Sequence, residues 1–250
     1  MRTITLLTDF GTRDPYVAAM KGVLAARCSA PVFDLSHDIA PFDILGAAFF
    51  LRDVVNYWPP ETIFVVVIDP GVGTSRRMLA VEREDRIFLA PDNGVLQFVM
   101  GRAFSIERES LFLPNGSNTF HGRDRFAPVA AAIANGFPLA DLGPPVDNPV
   151  RLPYGEPVYE AERIRATVVG VDRFGNVISD IENLPFAPCA RIGGVTIDRL
   201  ERNYGDAGDG PFFLIGSAGR LEISIRNASA AAALQLRAGD RLDIVKCLTE

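Results

Sequence analysis

The fold is decided by the run TIFVVVI at residues 62–68, which leads directly into DPGVGT at residues 69–74. The run is almost entirely apolar, is rich in β-branched residues and shows no alternation of polar and apolar positions. Such a run is typical of a central strand that is buried on both faces of a sheet. The aspartate and the glycines that follow indicate that the strand ends in a loop.

Strand-like and helix-like segments alternate on either side of this run. We predict further strands at 4–7, 31–35, 78–81 and 86–90. Apolar residues at helical spacing predict helices at 16–26, 43–57 and 124–135. Asp43 is expected to cap the second of these helices and Gly136 to end the third. The alternation predicts an α/β domain over residues 1–152, with a largely parallel central sheet flanked by helices.

The second half of the chain has a different pattern. A proline-rich stretch runs from Leu142 to Pro157, and we expect a linker at residues 153–162. Beyond it, turn residues separate short apolar segments at 164–171, 177–181, 190–197, 212–215, 221–225 and 241–245. These segments predict a smaller all-β, barrel-like domain over residues 163–250.

Composition excludes several classes of function. The net charge is −6 and the longest basic cluster is the pair Arg76-Arg77, so a nucleic-acid surface is not expected. No apolar run reaches membrane-spanning length. The cysteines Cys28, Cys189 and Cys247 include no CxxC pair, which favours reduced thiols in a cytoplasmic protein. We therefore expect a cytoplasmic protein whose partner is a small molecule.

Polar residues collect where the first-half strands end. Asp9 follows the first predicted strand and Asp69 follows the central one. Ligands of open α/β sheets bind beyond the carboxyl ends of the strands, so both aspartates are candidate site residues, although either could simply form a turn. The loop at 71–74 lacks the spacing of a phosphate-binding motif. Its glycines could let the backbone approach a ligand, or could supply a turn with positive φ.

Three further features could carry chemistry. His121 lies in a glycine-containing loop before a helix, and the only other histidine, His37, is far away in sequence, so zinc is not expected. Arg76 and Arg77 follow the glycine loop, and an arginine there could pair with Asp69 and hold it ionised, or could simply be a solvated charge. In DRFGN at residues 172–176, the phenylalanine could stack on adenine and the asparagine could meet its polar edge, or the stretch could be only a β-turn.

Read in order, these motifs resemble the S-adenosyl-L-methionine hydroxide adenosyltransferase family, the hydrolytic relatives of fluorinase and chlorinase. The resemblance extends from Thr8 to about Ala233. It rests on the motifs TDFG (8–11), DLSH (34–37), PFD (41–43), DPGVGT (69–74), APDNG (90–94), FHGRD (120–124) and DRFGN (172–176). Each motif is modest alone, but seven in the same order are highly specific.

The resemblance implies an enzyme that hydrolyses S-adenosyl-L-methionine to adenosine and methionine, by attack of an activated water on ribose C5′. It implies no metal or cofactor, and a homotrimer whose substrate lies between the N-terminal domain of one subunit and the C-terminal domain of the next. Its implied catalytic residues are Asp69, Arg76 (not Arg77) and His121. Its implied binding residues are Asp9, Asp14 and Tyr16 around the ribose, Asp172, Phe174 and Asn176 at the methionine end or the adenosine, and Ser217, Arg226 and Ala228 near the adenine edge.

Two other functions stay open at this point, namely a halogenase that uses the same substrate and a non-catalytic module that binds it or adenosine. In the halogenating relatives a tyrosine replaces Asp69, the histidine at 121 is absent, and the fluoride enzyme has a serine in place of Gly122. These differences favour water, which we expect Asp69 and His121 to hold and deprotonate while Arg76 orders the group. GSAG at 216–219 departs from the Asn-Ser of the relatives, which leaves the adenine contacts open.

Overall fold

The computed structural model describes residues 2–154 and 156–247, and the chain divides into two compact units between Pro153 and Tyr154. The elements of the first unit are β1 (Ile4–Thr8), α1 (Tyr16–Arg27), β2 (Val32–Ser36), α2 (Ile44–Val54), β3 (Ile63–Val67), β4 (Met78–Arg83), β5 (Arg86–Pro91), β6 (Arg102–Ser105) and α3 (Ala127–Ala134).

The first unit contains a six-stranded mixed sheet in the order β2-β1-β3-β5-β4-β6. Strands β2, β1, β3 and β5 are parallel, whereas β4 is antiparallel to both of its neighbours. The reversal occurs at Glu84 and Asp85, whose φ angles of 50° and 58° are those of a tight hairpin turn. The strand pair 78–81 and 86–90 is therefore confirmed, and β6 is an addition that the sequence pattern did not indicate.

The central strand β3 is buried along its whole length, as its composition predicts. Ile63 and Val65 pack into a core that includes residues of α1 and α3. Phe64 and Val66 pack into a second core that includes residues of α2. Helices therefore cover both faces of the sheet, which is why this strand carries no polar residue on either side.

Two helices begin differently from each other. Asp43 caps α2 as predicted, since its Oδ1 accepts a hydrogen bond of 2.8 Å from the Gly46 amide. The predicted helix at 124–135 is only partly correct, because Gly122–Phe126 forms a π-helix before α3 begins. An α-helix through this segment would need an N–H at Pro128 to reach the carbonyl of Asp124, and proline has none. That carbonyl accepts instead from the Leu113 amide at 2.9 Å.

The proline-rich stretch packs against the first unit over its first part. Val146 is buried in the second core, and Pro145 forms a β-bridge with Phe104. The Val150 amide donates to the carboxylate of Asp92 at 2.7 Å. The stretch therefore adds to the edge of the sheet before the chain enters the second unit.

All the strand ladders described in the second unit are antiparallel, and an isolated bridge between Leu200 and Phe213 is parallel. The strands follow the order β11-β10-β14-β8-β9-β13-β12, with β7 paired to β8. Leu200 bridges to Phe213 of the opposite edge strand, so the sheet curls until it nearly closes. The elements are β7 (Val158–Tyr159), β8 (Arg163–Val171), β9 (Val177–Ser179), β10 (Pro188–Ile192), β11 (Val195–Ile197), β12 (Pro211–Ile215), β13 (Leu221–Ile225), α4 (Ala230–Leu234) and β14 (Arg241–Lys246).

One strand prediction in this unit is wrong. The segment 190–197 is not a single strand but the hairpin β10–β11. Gly193 and Gly194 form its turn, with φ angles of 56° and 85°. Positive φ at both central residues is typical of a two-residue hairpin turn, and glycine adopts it readily. The predicted linker at 153–162 also contains the short strand β7. In the described part of the chain, no helix has the length and apolar character needed to cross a membrane.

Candidate active site

A cavity of about 400 Å³ opens in the first unit at the carboxyl ends of β1 and β3. These two strands are adjacent and parallel, so the residues that follow them, Asp9 and Asp69, come to the same edge of the sheet. Phe120, His121 and Gly122, at the start of the π-helix, also line the cavity. The cavity is lined by Asp9, Phe10, Tyr16, Pro41, Phe42, Val67, Asp69, Val72, Thr119, Phe120, His121 and Gly122.

Behind one wall of this first-unit cavity, Arg76 joins Asp69 to His121. Its Nε donates to Asp69 Oδ1 at 2.8 Å, and its Nη2 contacts Asp69 Oδ2. The same Nη2 lies 2.7 Å from His121 Nδ1. The side chains of Arg76 and Asp69 are only 10% and 5% exposed, so this fork-shaped pairing is largely removed from water.

These contacts determine the protonation of His121. Burial, reinforced by the positive charges of Arg125 and Arg76, lowers its pKa from 6.5 to about 4, so the ring is neutral near pH 7. A guanidinium donates hydrogen bonds and accepts none, so His121 Nδ1 must be the acceptor and the ring proton must lie on Nε2. His121 is therefore a hydrogen-bond donor toward anything that meets its Nε2.

Two donors of this group remain unpaired. Arg76 Nη1 and His121 Nε2 are buried, and no acceptor within residues 2–154 and 156–247 reaches either of them. Buried polar groups are nearly always hydrogen-bonded, and exceptions are common at sites that bind a ligand. The Asp69 carboxylate also retains acceptor capacity, because each oxygen can take a second hydrogen bond.

The loops that carry these residues are fixed by close backbone contacts. Gly73 has a φ of 79°, and a Cβ there would lie 2.6 Å from the carbonyl oxygen of Asn118. The glycine therefore supplies the positive φ considered from the sequence, and the backbone that it approaches closely is the loop before His121. Asp9 and Phe42, which both line the first-unit cavity, are joined by a hydrogen bond in which Asp9 Oδ2 accepts from the Phe42 amide at 2.9 Å.

The second unit has its own cavity of about 1130 Å³. It contains all six residues predicted for the second half of the binding site, namely Asp172, Phe174, Asn176, Ser217, Arg226 and Ala228. DRFGN does form a turn, with the Gly175 amide donating to the Asp172 carbonyl at 3.0 Å. The ring of Phe174 nevertheless stays 78% exposed, so the turn and the binding interpretation are compatible.

Comparison with known proteins decides the family. Residues 4–143 match the N-terminal domain of the SAM hydroxide adenosyltransferases, and residues 166–243 match the C-terminal domain. The chain belongs to the SAM hydroxide adenosyltransferase family. It is 39% identical to the (R)-S-adenosyl-L-methionine hydrolase of Thermus thermophilus, over 96% of this chain and 98% of that protein. It is 24% identical to the fluorinase of an Actinoplanes species, over 97% of each.

A crystal structure agrees with this assignment of the fold. An uncharacterized conserved protein from Thermotoga maritima superposes with a TM-score of 0.90 at 34% sequence identity, over 98% of this chain and 100% of that one. The order of secondary-structure elements described above is therefore the architecture of a SAM hydroxide adenosyltransferase.

Not every residue that the family resemblance implied lies in a cavity. Asp14 is exposed and is not part of the lining of the first-unit cavity, whereas Tyr16 lines it and packs against the rings of Phe10 and Phe120 at centroid distances of 5.6 and 5.2 Å. Within the described ranges, no cluster of three or more histidine, cysteine, aspartate or glutamate side chains is arranged to hold a metal ion.

The structure also separates the two adjacent arginines. Arg77 Nε donates to Asp92 Oδ2 at 2.8 Å, and its Nη atoms donate to Asn148 at 2.9 and 2.7 Å. Because Asp92 also accepts from the Val150 amide, Arg77 ties the proline-rich stretch to the sheet. Arg76 contacts two residues that line the first-unit cavity, whereas Arg77 makes a structural contact.

Sequence reasoning missed two polar residues of the second-unit cavity, Tyr204 and Glu222. Glu222 is only 8% exposed, and burial followed by the nearby charge of Asp172 raises its pKa. Burial and the adjacent Glu222 likewise raise the pKa of Tyr204. Neither residue lies in one of the family motifs, so only the charged Glu222 between the apolar residues Leu221 and Ile223 could have signalled this site.

Proposed function

We propose that this enzyme hydrolyses S-adenosyl-L-methionine to adenosine and L-methionine, acting on the (R) form that appears in the name of its Thermus thermophilus relative. The observation that carries the proposal is the buried group of Asp69, Arg76 and His121 at the edge of a cavity, with unpaired donors on the last two. Such a group suits a small polar nucleophile, and water is one that can both donate to a carboxylate and accept from an imidazole.

The reaction needs no metal or cofactor, because the sulfonium of the substrate is already a good leaving group. Water attacks ribose C5′ on the side opposite to sulfur. The C5′–O bond forms as the C5′–S bond breaks, and the bonding electron pair returns to sulfur as the thioether of methionine. One proton of the water passes to the Asp69 carboxylate, and the other remains on the 5′-hydroxyl of adenosine.

Each member of the catalytic group has a distinct part in this mechanism. Asp69 accepts a hydrogen bond from the water and takes its proton, because its oxygens have acceptor capacity beyond the two contacts with Arg76. His121 donates from Nε2 and stabilises the developing hydroxide character. Arg76 orients the carboxylate and fixes the imidazole tautomer. Alignment of water with C5′ contributes about 7–11 kcal/mol when the geometry is close to that of attack.

Two features support water over a halide ion as the nucleophile. The carboxylate of Asp69 lines the first-unit cavity and would repel an anion. Gly122 is closely packed, since a Cβ there would lie 3.1 Å from Met20 Sδ and 3.3 Å from the Phe120 ring. The serine that the fluoride enzyme has at this position would therefore crowd both neighbours.

Asp9 is proposed to bind the ribose hydroxyls, and the second-unit cavity to bind the remainder of the nucleoside. As the family resemblance implies, we place each substrate in a homotrimer, between the first unit of one subunit and the second unit of its neighbour. This placement is supported by the division of the residues between the units: the catalytic group of Asp69, Arg76 and His121 belongs to the first unit, and the exposed Phe174 ring belongs to the second. Light scattering would give the mass of the assembly.

Subunit mixing tests whether the sites are shared. Asp69→Asn damages only the first-unit cavity and Asp172→Ala only the second. In trimers assembled from equal amounts of both variants, about one quarter of shared sites would combine two intact halves. Recovery of about that fraction of wild-type turnover supports shared sites, and no recovery contradicts them.

The reaction itself is tested by incubating the enzyme with separated (R) and (S) forms of S-adenosylmethionine in ¹⁸O-labelled water. We expect adenosine with the label on its 5′-oxygen, produced mainly from the (R) form. Incubation with chloride or fluoride should yield no 5′-halogenated nucleoside. Binding of substrate without release of adenosine would reject the hydrolytic function and favour a non-catalytic module.

A further inference from the structure

Four side chains of the second-unit cavity form a chain of hydrogen bonds with a fixed direction. Asn176 Nδ2 donates to Asp172 Oδ2 at 2.8 Å and to the Tyr204 hydroxyl at 3.3 Å. The Tyr204 hydroxyl in turn donates to Glu222 Oε2 at 3.1 Å. This series of hydrogen bonds ends at a carboxyl oxygen on each side, Asp172 Oδ2 and Glu222 Oε2, and both oxygens accept. The direction of every hydrogen bond in the series is therefore determined.

This direction decides what Asn176 offers to a ligand. Both hydrogens of its amide nitrogen are used, one by Asp172 and one by Tyr204. No donor among the described residues reaches Asn176 Oδ1, and the residue lines the second-unit cavity. The amide therefore presents its oxygen, which can only accept a hydrogen bond.

Glu222 is the final acceptor in this series of hydrogen bonds, at the end opposite to Asp172. It is 8% exposed, and Gly216 lies so close that a Cβ at position 216 would overlap the Glu222 carboxyl group. The absence of a side chain at Gly216 thus leaves room for the Glu222 carboxyl group next to the loop that carries Ser217. An anchor packed in this way can hold the Tyr204 hydroxyl in one orientation.

We propose that Tyr204 and Glu222 are positioning residues that keep the Asn176 amide oxygen toward the nucleobase, so that the second-unit cavity selects a purine with a 6-amino group over one with a 6-oxo group. The inference rests on the proposed function, which places the nucleoside in this cavity. A 6-amino group can donate to the amide oxygen, whereas a 6-oxo group would bring two acceptors together. Stacking on Phe174 is available to either base, so the selection depends on the amide.

The test compares the binding of adenosine and of inosine to the full-length protein by calorimetry. We expect the wild type to bind adenosine at least about tenfold more tightly, the factor that about 1.4 kcal/mol gives. In Glu222→Gln the new amide can donate to the Tyr204 oxygen and weaken the hold of that hydroxyl on Asn176, but Asp172 still orients the amide, so the preference should fall by about threefold. In Tyr204→Phe, Asp172 likewise still orients Asn176, so a loss of about threefold is expected.

Matched controls are Tyr159→Phe and Glu201→Gln, two residues of the same unit that lie outside the lining of the cavity. Both should keep the wild-type preference, and thermal melting should show that every variant is folded. A purely structural role would weaken both nucleosides equally and leave their ratio unchanged. That result in both cavity variants, or a wild type without preference, would overturn the inference.

The outcome is separable from that of the proposed function. An enzyme that releases adenosine from S-adenosylmethionine but binds inosine equally well keeps the function and loses the inference. A protein that prefers adenosine and releases none from S-adenosylmethionine keeps the inference and loses the function. Should Glu222→Gln not fold, Tyr204→Phe alone decides, because it removes only one hydroxyl.

Discussion

Replacement of Arg76 by lysine tests whether the geometry of the guanidinium, rather than its charge, supports catalysis. One guanidinium makes the contacts with both oxygens of Asp69 and with His121 Nδ1. A lysine ammonium would keep the positive charge but is a single point at the end of a flexible chain, so it cannot reproduce the fork. We expect it to retain one of the three contacts.

The loss can be estimated from these contacts. Hydrogen bonds to charged groups contribute about 1.5–3 kcal/mol each. Loss of a single donor aimed at charge that develops in the transition state lowers kcat by about 10²–10³. We expect Arg76→Lys to reduce kcat by that factor and to change KM by less than about threefold, because Arg76 orients Asp69 and His121, which are proposed to hold the water and not the nucleoside.

The assay is adenosine release under saturating substrate, and the neighbouring arginine supplies the control. Arg77→Lys removes contacts with Asp92 and Asn148, so it should lower the melting temperature and leave kcat within about threefold of wild type. If Arg76→Lys turns over at a rate close to that of wild type, or if both variants lose kcat equally, the assigned role of Arg76 is wrong.

Three further predictions follow from local geometry. The pKa of His121 is lowered from 6.5 to about 4, so its contribution to the free energy of unfolding is complete above pH 6.5 and is lost as the pH falls toward 4. Between pH 7 and pH 5, the free energy of unfolding measured in urea should fall by about 2 kcal/mol more for the wild type than for His121→Gln. Equal decreases would contradict the burial of a neutral ring. Gly216→Ala should lower the melting temperature by about 5 °C, because the new methyl group overlaps Glu222. Gly170→Ala is the control and should leave the melting temperature unchanged, because a Cβ at position 170 meets nothing within 4 Å. Equal melting temperatures of the two variants would contradict the close packing at Gly216. Asp9→Asn should raise KM about tenfold with little change in kcat, measured by the same adenosine assay, and a loss confined to kcat would remove Asp9 from ribose binding.

Much of the first unit could be predicted from local sequence, because burial and capping leave local signals. The unbroken apolar run of β3 predicts burial on both faces, and Asp43 predicts the start of α2. The direction of β4 left no such signal, since the turn that reverses the chain uses Glu84 and Asp85 in place of the usual glycine or asparagine. The start of α3 depends on Pro128 and on a distant amide, that of Leu113, which no local pattern indicates.

The candidate site was predictable to a different extent in each unit. Asp9 and Asp69 could be placed together from topology alone, because parallel neighbouring strands end at one edge of the sheet. The choice of Arg76 over Arg77 came only from the family resemblance, since two adjacent arginines carry the same local signal. The contact that separates them, between Arg77 and Asn148, spans 71 residues of sequence.

Sequence reasoning could not predict which atoms of the named side chains are available to a ligand, and the reason is the same in both units. In both cavities, a hydrogen-bond network occupies the polar atoms of one side chain until a single atom is left for the ligand. Arg76 occupies His121 Nδ1 and leaves the Nε2 donor, while Tyr204 and Asp172 occupy the Asn176 nitrogen and leave the oxygen acceptor. The chemical identity that a site residue presents is therefore set by partners distant in sequence. A motif can name His121 or Asn176, but only the partners determine whether each one donates or accepts.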